Sequence, residues 1–399
     1  MSERQPRLIH LADYGTVYPG SFIPMVTALG RAARTRGWEV VLVFPESARG
    51  RDWMGALEAE GLGPRIIELG AAGGAARWIP AFAGEATLGR MQGHVTRDID
   101  ALLSEHAGPT ILHTQFTMFD MPAAQAARRH PAARVVWHEQ SARPGGVLGE
   151  LGSRLRYRLF GRDVASILCV APDIADTVAR QGGGARTSVV RNAVDTERFA
   201  PAASARRSAA REALGVSADA TLLLLFGTHW ERKGGDLFLE AFRRLQASRS
   251  DGRSLRGVIV GGDTARGAVE AAGLASAVTV LDPAREVEDL YAAADVFLSP
   301  SRAEGMPFAV LECLAVGLPV VASDIPGQAA IAESIAACRL TSLEPASIAG
   351  AVADVLALDE VQRRQELAAA RDWIVANAGL DWWSRTVMDV YDRIVVDIG

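Results

Sequence analysis

Short apolar runs alternate with amphipathic helical segments from one end of this chain to the other, and that rhythm limits its fold more than any other feature. In the first half the runs are Arg7–Asp13, Trp38–Pro45, Arg65–Leu69, Thr110–Thr114, Arg134–Glu139 and Val164–Ala171. Each is short, rich in Val, Ile and Leu, and apolar on both faces, as strands inside a covered parallel sheet must be. Helical patterns lie between them. Ser21–Arg36, for instance, is closed by Gly37, the residue favoured just past a helix C-terminus. The second half repeats the rhythm with Thr221–Phe226, Arg256–Gly262, Val278–Asp282, Val296–Ser301 and Leu318–Ser323. Helical patterns intervene at Asp236–Ser248, Glu286–Ala294 and Pro307–Val316. Such alternation builds parallel sheets with helices on both faces. The fold class is therefore α/β, with two Rossmann-like doubly wound parallel-sheet domains.

A length of 399 residues agrees with two domains. The boundary is expected after Val189–Asp195, where an Ala/Pro/Ser-rich stretch without sheet character begins. This gives domains at 1–192 and 193–380. The remainder, 381–399, carries a last amphipathic helix, Asp381–Ile398. Sequence alone lets it pack on either domain, and a return to the first is the expectation.

Composition narrows the function. A net charge of -5 argues against a dedicated nucleic-acid binder. Cys169, Cys313 and Cys338 lie far apart without metal-ligand spacing, which fits reduced thiols in a cytoplasmic protein and no metal site. The N-terminus lacks the apolar core of a signal peptide, and the most apolar stretch, Phe308–Ala322, is broken by Glu312, Gly317 and Pro319. A membrane span is not expected, whereas peripheral contact is compatible. Arg154–Arg162 is basic with interleaved apolar residues, and reads either as a solvated amphipathic helix or as a face resting on an anionic membrane.

The most informative stretch is Ser299–Gly327, SPSRAEGMPFAVLECLAVGLPVVASDIPG. A strand ends at Ser299-Pro300, a loop carries Glu304 and Gly305, and a helix opens near Met306-Pro307, with proline in its first turn. Free N–H groups and the positive dipole end there suit a diphosphate. The place is the carboxyl end of a parallel strand, where open α/β sheets bind ligands. Glu312 follows within an apolar helix, a costly position for a carboxylate unless something pairs with it, and a ribose diol would. The plainer alternative has Glu304 as a helix cap and Glu312 reaching solvent.

On Glu304-Gly-Met-Pro-Phe-Ala-Val-Leu-Glu312 the chain resembles the retaining GT-B glycosyltransferases of family four, whose signature is two glutamates separated by seven residues around a Gly-[Phe/Met]-Pro turn. The resemblance implies two Rossmann-like domains facing across a cleft and transfer of a sugar, without metal or other cofactor, from a nucleotide-sugar co-substrate. A UDP-sugar is the commonest donor. It implies that Glu304 meets the donor sugar, that Glu312 holds the ribose, and that amides of Gly305, Met306 and Phe308 bind the distal phosphate. In Phe226-Gly-Thr-His-Trp-Glu-Arg-Lys-Gly234, Lys233 matches the family's diphosphate-neutralising lysine. Thr228 stands where the family usually has arginine, leaving Arg232 or His229 to compensate. The turn in Val280–Tyr291 implies base contacts near Leu281. In the first half, His138 corresponds to the family's sugar-facing histidine, and Gly20 lets backbone approach the diphosphate. His113 is a second, weaker histidine candidate. The catalytic set so implied is Glu304, His138 and Lys233.

The acceptor, whether small molecule, glycan or lipid-linked, is expected at the loops Tyr14–Phe22, Ala71–Gly89 and Gln140–Gly146. Asp98-Ile-Asp100 looks like a metal-binding DxD, but it sits in a helical pattern rather than after a strand. The oligomeric state is not readable. A sugar-nucleotide epimerase of the same fold and a non-catalytic glycosyltransferase-like partner subunit are the competing readings.

Overall fold

The computed structural model describes residues 5–69, 85–141, 147–249, 252–283 and 286–396. The chain divides into two compact units, one of Met1–Arg191 with Trp383–Gly399 and one of Asn192–Trp382. The first contains the strands β1 (Arg7–Ala12), β2 (Glu39–Pro45), β3 (Arg65–Ile67), β4 (Thr110–Gln115), β5 (Ala133–Glu139), β6 (Val164–Cys169) and β7 (Thr187–Val189). The second contains β8 (Thr221–Phe226), β9 (Leu255–Val260), β10 (Val278–Leu281), β11 (Val296–Ser299), β12 (Val320–Ser323) and β13 (Cys338–Thr341).

The first sheet runs β3-β2-β1-β4-β5-β6-β7 and the second β10-β9-β8-β11-β12-β13. Pairing is parallel throughout both, as the doubly wound reading expects. Every residue of β1 and of β4 is buried, because helices cover both faces. In the second unit, Leu223, Leu225, Val296 and Leu298 pack with Phe238 and Phe242 of the helix Gly235–Ser248. Strand order reverses between β1 and β4 in one sheet and between β8 and β11 in the other. Those two places are where such sheets open a crevice at the strand ends.

Three features depart from the sequence expectations. The edge strands β7 and β13 were not expected, whereas the Ala/Pro/Ser-rich stretch runs without helix or strand from Phe199 to Ala203 before a helix at Ser204–Ala213. The helix read as opening near Met306-Pro307 begins at Phe308, with Pro307 capping it from extended backbone. Arg156, counted in the basic run, is buried. It pairs with Asp120 and donates to Glu139 at 2.7 Å, and its guanidinium lies 3.8 Å over the Trp137 ring. The last helix, Leu380–Val396, buries Trp383, Val387, Met388 and Tyr391, and from Trp383 onward it belongs to the first unit.

Candidate functional site

In the second unit, β8 and β11 lie side by side at the reversal, and their carboxyl ends open into the loops 227–234 and 300–307. Gly234 lets these loops close on one another. Its φ is +69°, and a Cβ there would sit 2.0 Å from the Pro300 carbonyl oxygen. Arg302 N donates to the Arg232 carbonyl at 2.8 Å, and the Arg302 guanidinium donates to Asp236 at 2.6 and 2.9 Å. The result brings three of the expected residues together. Lys233 Nζ lies 2.6 Å from Glu304 Oε1, and Arg232 Nη1 lies 3.0 Å from Glu304 Oε2. Only 8% of the Glu304 side chain is exposed; its partner Lys233 is largely covered, whereas Arg232 reaches it from a side chain that is 42% exposed. Thr228 is exposed. Burial, with Arg232 and Lys233 beside it, lowers the pKa of His229, so that ring adds no positive charge at neutral pH. The second cation of the site is Arg232.

The segment after Glu304 is pinned from behind. Asn192 Nδ2 donates to the Met306 carbonyl at 2.9 Å, and a Cβ on Gly327 would sit 2.0 Å from the Gly305 carbonyl oxygen. Ser323 Oγ donates to the Ser301 carbonyl at 2.5 Å, and Gln328 Nε2 donates to Ser299 Oγ at 2.8 Å. Gly305 and Met306 are buried and Phe308 is half-buried at the first turn of its helix. Helix starts present unpaired N–H groups and a positive dipole end, which suits an anion. Asn192 and Gln328 are supports that sequence reasoning missed. Their signal was only proximity to the domain boundary and to the proline after β12.

Glu312, in the same helix, is 6% exposed and has a protein partner, since Tyr291 Oη donates to its Oε2 at 2.5 Å. Burial first, and then the carboxylate, push the Tyr291 phenol well above its ordinary value, so it remains a donor. Leu281 ends β10, with β9 between it and β8, and its carbonyl accepts from Gly261 N at 3.0 Å. In the segment Val280–Tyr291, residues 284–285 lie outside the described ones.

The first unit holds the other expected residues. Gly20 has a φ of +52° and is exposed just before the helix Phe22–Thr35. His138, near the end of β5, is 2% exposed and belongs to a buried column of histidines. Its Nδ1 lies 3.3 Å from His113 Nε2, His113 Nδ1 lies 2.5 Å from Tyr391 Oη, and His10 meets the His113 ring edge-on at 4.7 Å. Trp383 stacks on His138 with ring centres 6.2 Å apart. Desolvation, with His10 adding repulsion, lowers His138 to about 3, and desolvation lowers His10 to about 4. These rings are neutral and can donate or accept a hydrogen bond without carrying charge. After β4, the non-glycine residues Phe116 and Thr117 have φ of +67° and +63° at the first sheet's reversal, a strained turn that nothing in the sequence flagged. Of the expected acceptor loops, residues 71–84 and 142–146 lie outside the described ones. Asp98 and Asp100 sit within the helix Glu85–Ser104. Among the described residues, no group of three or more His, Cys, Asp or Glu side chains is placed to hold a metal ion, and no helix is long and apolar enough to cross a membrane.

Comparison with known proteins adds a common theme. Residues 23–193 match the glycosyl transferase 4-like domain, and residues 220–357 match the glycosyl transferases group 1 model. A D-inositol 3-phosphate glycosyltransferase of Geodermatophilus obscurus is 32% identical over 293 residues, covering 69% of this chain and 59% of that relative. The chain thus spans about three fifths of that relative's length. Among solved structures, HepE of Anabaena in complex with UDP and glucose superposes with a TM-score of 0.75 at 16% identity, covering 97% of this chain and 99% of that one. Sucrose-phosphate synthase of Thermosynechococcus elongatus gives 0.76 at 18% identity, covering 99% and 100%. At these identities the structural likeness speaks for the fold.

Proposed function

Because the chain belongs to the group 1 glycosyl transferases, we propose that it moves a sugar from a nucleotide donor, a UDP-sugar, onto an acceptor, with retained anomeric configuration and without a metal. The observation that carries this reading is the meeting of Lys233, Arg232 and Glu304 beside the Gly305–Phe308 turn at the sheet reversal. As the bond between the anomeric carbon and the diphosphate breaks, negative charge grows on the leaving oxygen. Lys233, Arg232 and the turn amides are a preorganised positive field for it. The acceptor oxygen attacks on the same face as the leaving group, and its proton passes to the departing phosphate. Glu304, positioned by its two cations, is assigned to the sugar hydroxyls, and Glu312, held by Tyr291, to the ribose. Leu281 is assigned to the base, Gly20 to a close backbone approach, and His138 to a neutral hydrogen bond with the sugar. The first unit is assigned to the acceptor. The UDP and glucose held by HepE support the choice of nucleotide.

The test is a thermal-shift and hydrolysis screen against UDP-, GDP-, ADP- and dTDP-sugars, with and without EDTA, repeated on Lys233→Ala and Glu304→Gln. The expected result is stabilisation by UDP-sugars, slow sugar release unaffected by EDTA, and loss of turnover of at least about a hundredfold in either variant with the fold intact. No shift with any nucleotide, or near-normal turnover in both variants, would overturn the assignment.

A further inference from the structure

The helix Val147–Phe160 has two faces of opposite habit. Ser153, Arg156 and Tyr157 turn inward, where Arg156 and the Tyr157 hydroxyl both donate to Glu139. Outward stand Leu151, Leu155 and Leu159, exposed by 56%, 49% and 49%. Residues four apart share one helix face, so these leucines form a single row about 12 Å long. One exposed leucine on a protein surface is ordinary, but an aligned row of three is not. Beside them on the helix Arg154 and Arg158 are exposed, and Arg162 is exposed in the short turn Gly161–Asp163 that follows. The exposed Arg128 reaches the row's end, where it donates to the Leu159 carbonyl at 2.8 Å, and the exposed Arg129 follows it in sequence. The acidic neighbours are already engaged. Glu150 pairs with Arg154 and Asp163 with Arg128, both at 2.6 Å, and Asp100 lies 3.7 Å from Arg129, which leaves the five arginines a net charge of +2 over these three carboxylates. On a chain of net charge -5, this is a local concentration of arginine around an apolar strip.

We propose that this face docks on an anionic lipid bilayer, with the leucine row entering the acyl boundary and the arginines meeting headgroup phosphates. A helix lying in the interface plane needs this arrangement of one apolar stripe flanked by cations. Arginine stems extend along apolar surface while their heads stay at phosphate depth. Charge also decides against a second copy of the chain, because a two-fold pairing of this face would set arginines against arginines. The proposal is independent of the donor-site reading, since none of these residues belongs to it.

The experiment is flotation of the full chain with vesicles of phosphatidylcholine, with or without phosphatidylglycerol. The chain is expected to bind only the anionic vesicles, and less as salt rises. Replacing Leu151, Leu155 and Leu159 together by serine should abolish binding. Each of Arg154→Ala, Arg158→Ala and Arg162→Ala should lower the partition about fivefold. Because the native cysteines Cys169, Cys313 and Cys338 are buried, Leu155→Cys takes an environment-sensitive dye selectively, and its emission should shift to the blue on anionic vesicles. All these positions are exposed, so melting curves should match the parent. Failure of the parent to float with anionic vesicles would overturn the proposal, as would equal binding by the leucine variant. Self-association lost in the leucine variant, without vesicle binding, would assign the face to a second copy instead.

Discussion

Replacing Tyr291 by phenylalanine isolates one interaction in the second unit. The ring keeps its contacts with Phe199, Phe226 and Phe297, whose centres lie 6.0, 5.5 and 6.3 Å away, so no cavity opens. Only the hydroxyl is lost, and with it the 2.5 Å hydrogen bond to Glu312. A hydrogen bond to a charged group contributes about 1.5–3 kcal/mol, and both partners are nearly excluded from water. Glu312 keeps other contacts, which favours the lower end, about 1.5–2 kcal/mol. For a unit of this size that corresponds to a melting temperature lower by about 3–8 °C. Calorimetry on the whole chain reads the shift, and a double-mutant cycle with Glu312→Leu, which removes the acceptor, assigns it to the pair. If Glu312 holds the ribose, the same variant should raise the KM for donor several-fold while kcat changes little. An unchanged melting temperature, or a cycle with no coupling, would refute the claim that this bond fixes the carboxylate.

Gly327→Ala should place a methyl group 2.0 Å from the Gly305 carbonyl oxygen and 2.6 Å from that of Glu304. The expected outcome is a stability loss of about 1–3 kcal/mol with donor binding weakened further, read by denaturant unfolding and nucleotide titration. The histidine column makes the first unit acid-labile. His138 and His10 titrate near 3 and 4 when folded against 6.5 ordinarily, so the unfolded chain takes up protons first. Stability present above pH 6.5 should fall as pH drops towards 4, by about 1.4 kcal/mol per unit for each ring. Unfolding followed across that window should show a shallower slope in His10→Gln.

The strand alternation made both sheets legible, because buried parallel strands must be apolar throughout. The edge strands escaped for the same reason. Thr187–Val189 is only half-buried or exposed, and Cys338–Thr341 leaves Leu340 37% exposed, so neither carries an apolar run. The Glu304-to-Glu312 block marked a site, but its partners did not show. Tyr291 reaches Glu312 from another helix, and Asn192 reaches Met306 across 114 positions of sequence. No local pattern encodes such a contact. Arg156 was partly readable, since Phe160 stands four positions on, one turn along the same face, but counting charge along the run hid the face it occupies.

The division of the chain also sets an order on its synthesis. The first unit is left at Arg191 and completed only from Trp383, so its core waits while the whole second unit is made. At ribosomal rates that wait is about 10–40 s. Throughout it, His113 lacks Tyr391 and His138 lacks the Trp383 ring above it. The half of the chain that is translated first is therefore the half that finishes folding last.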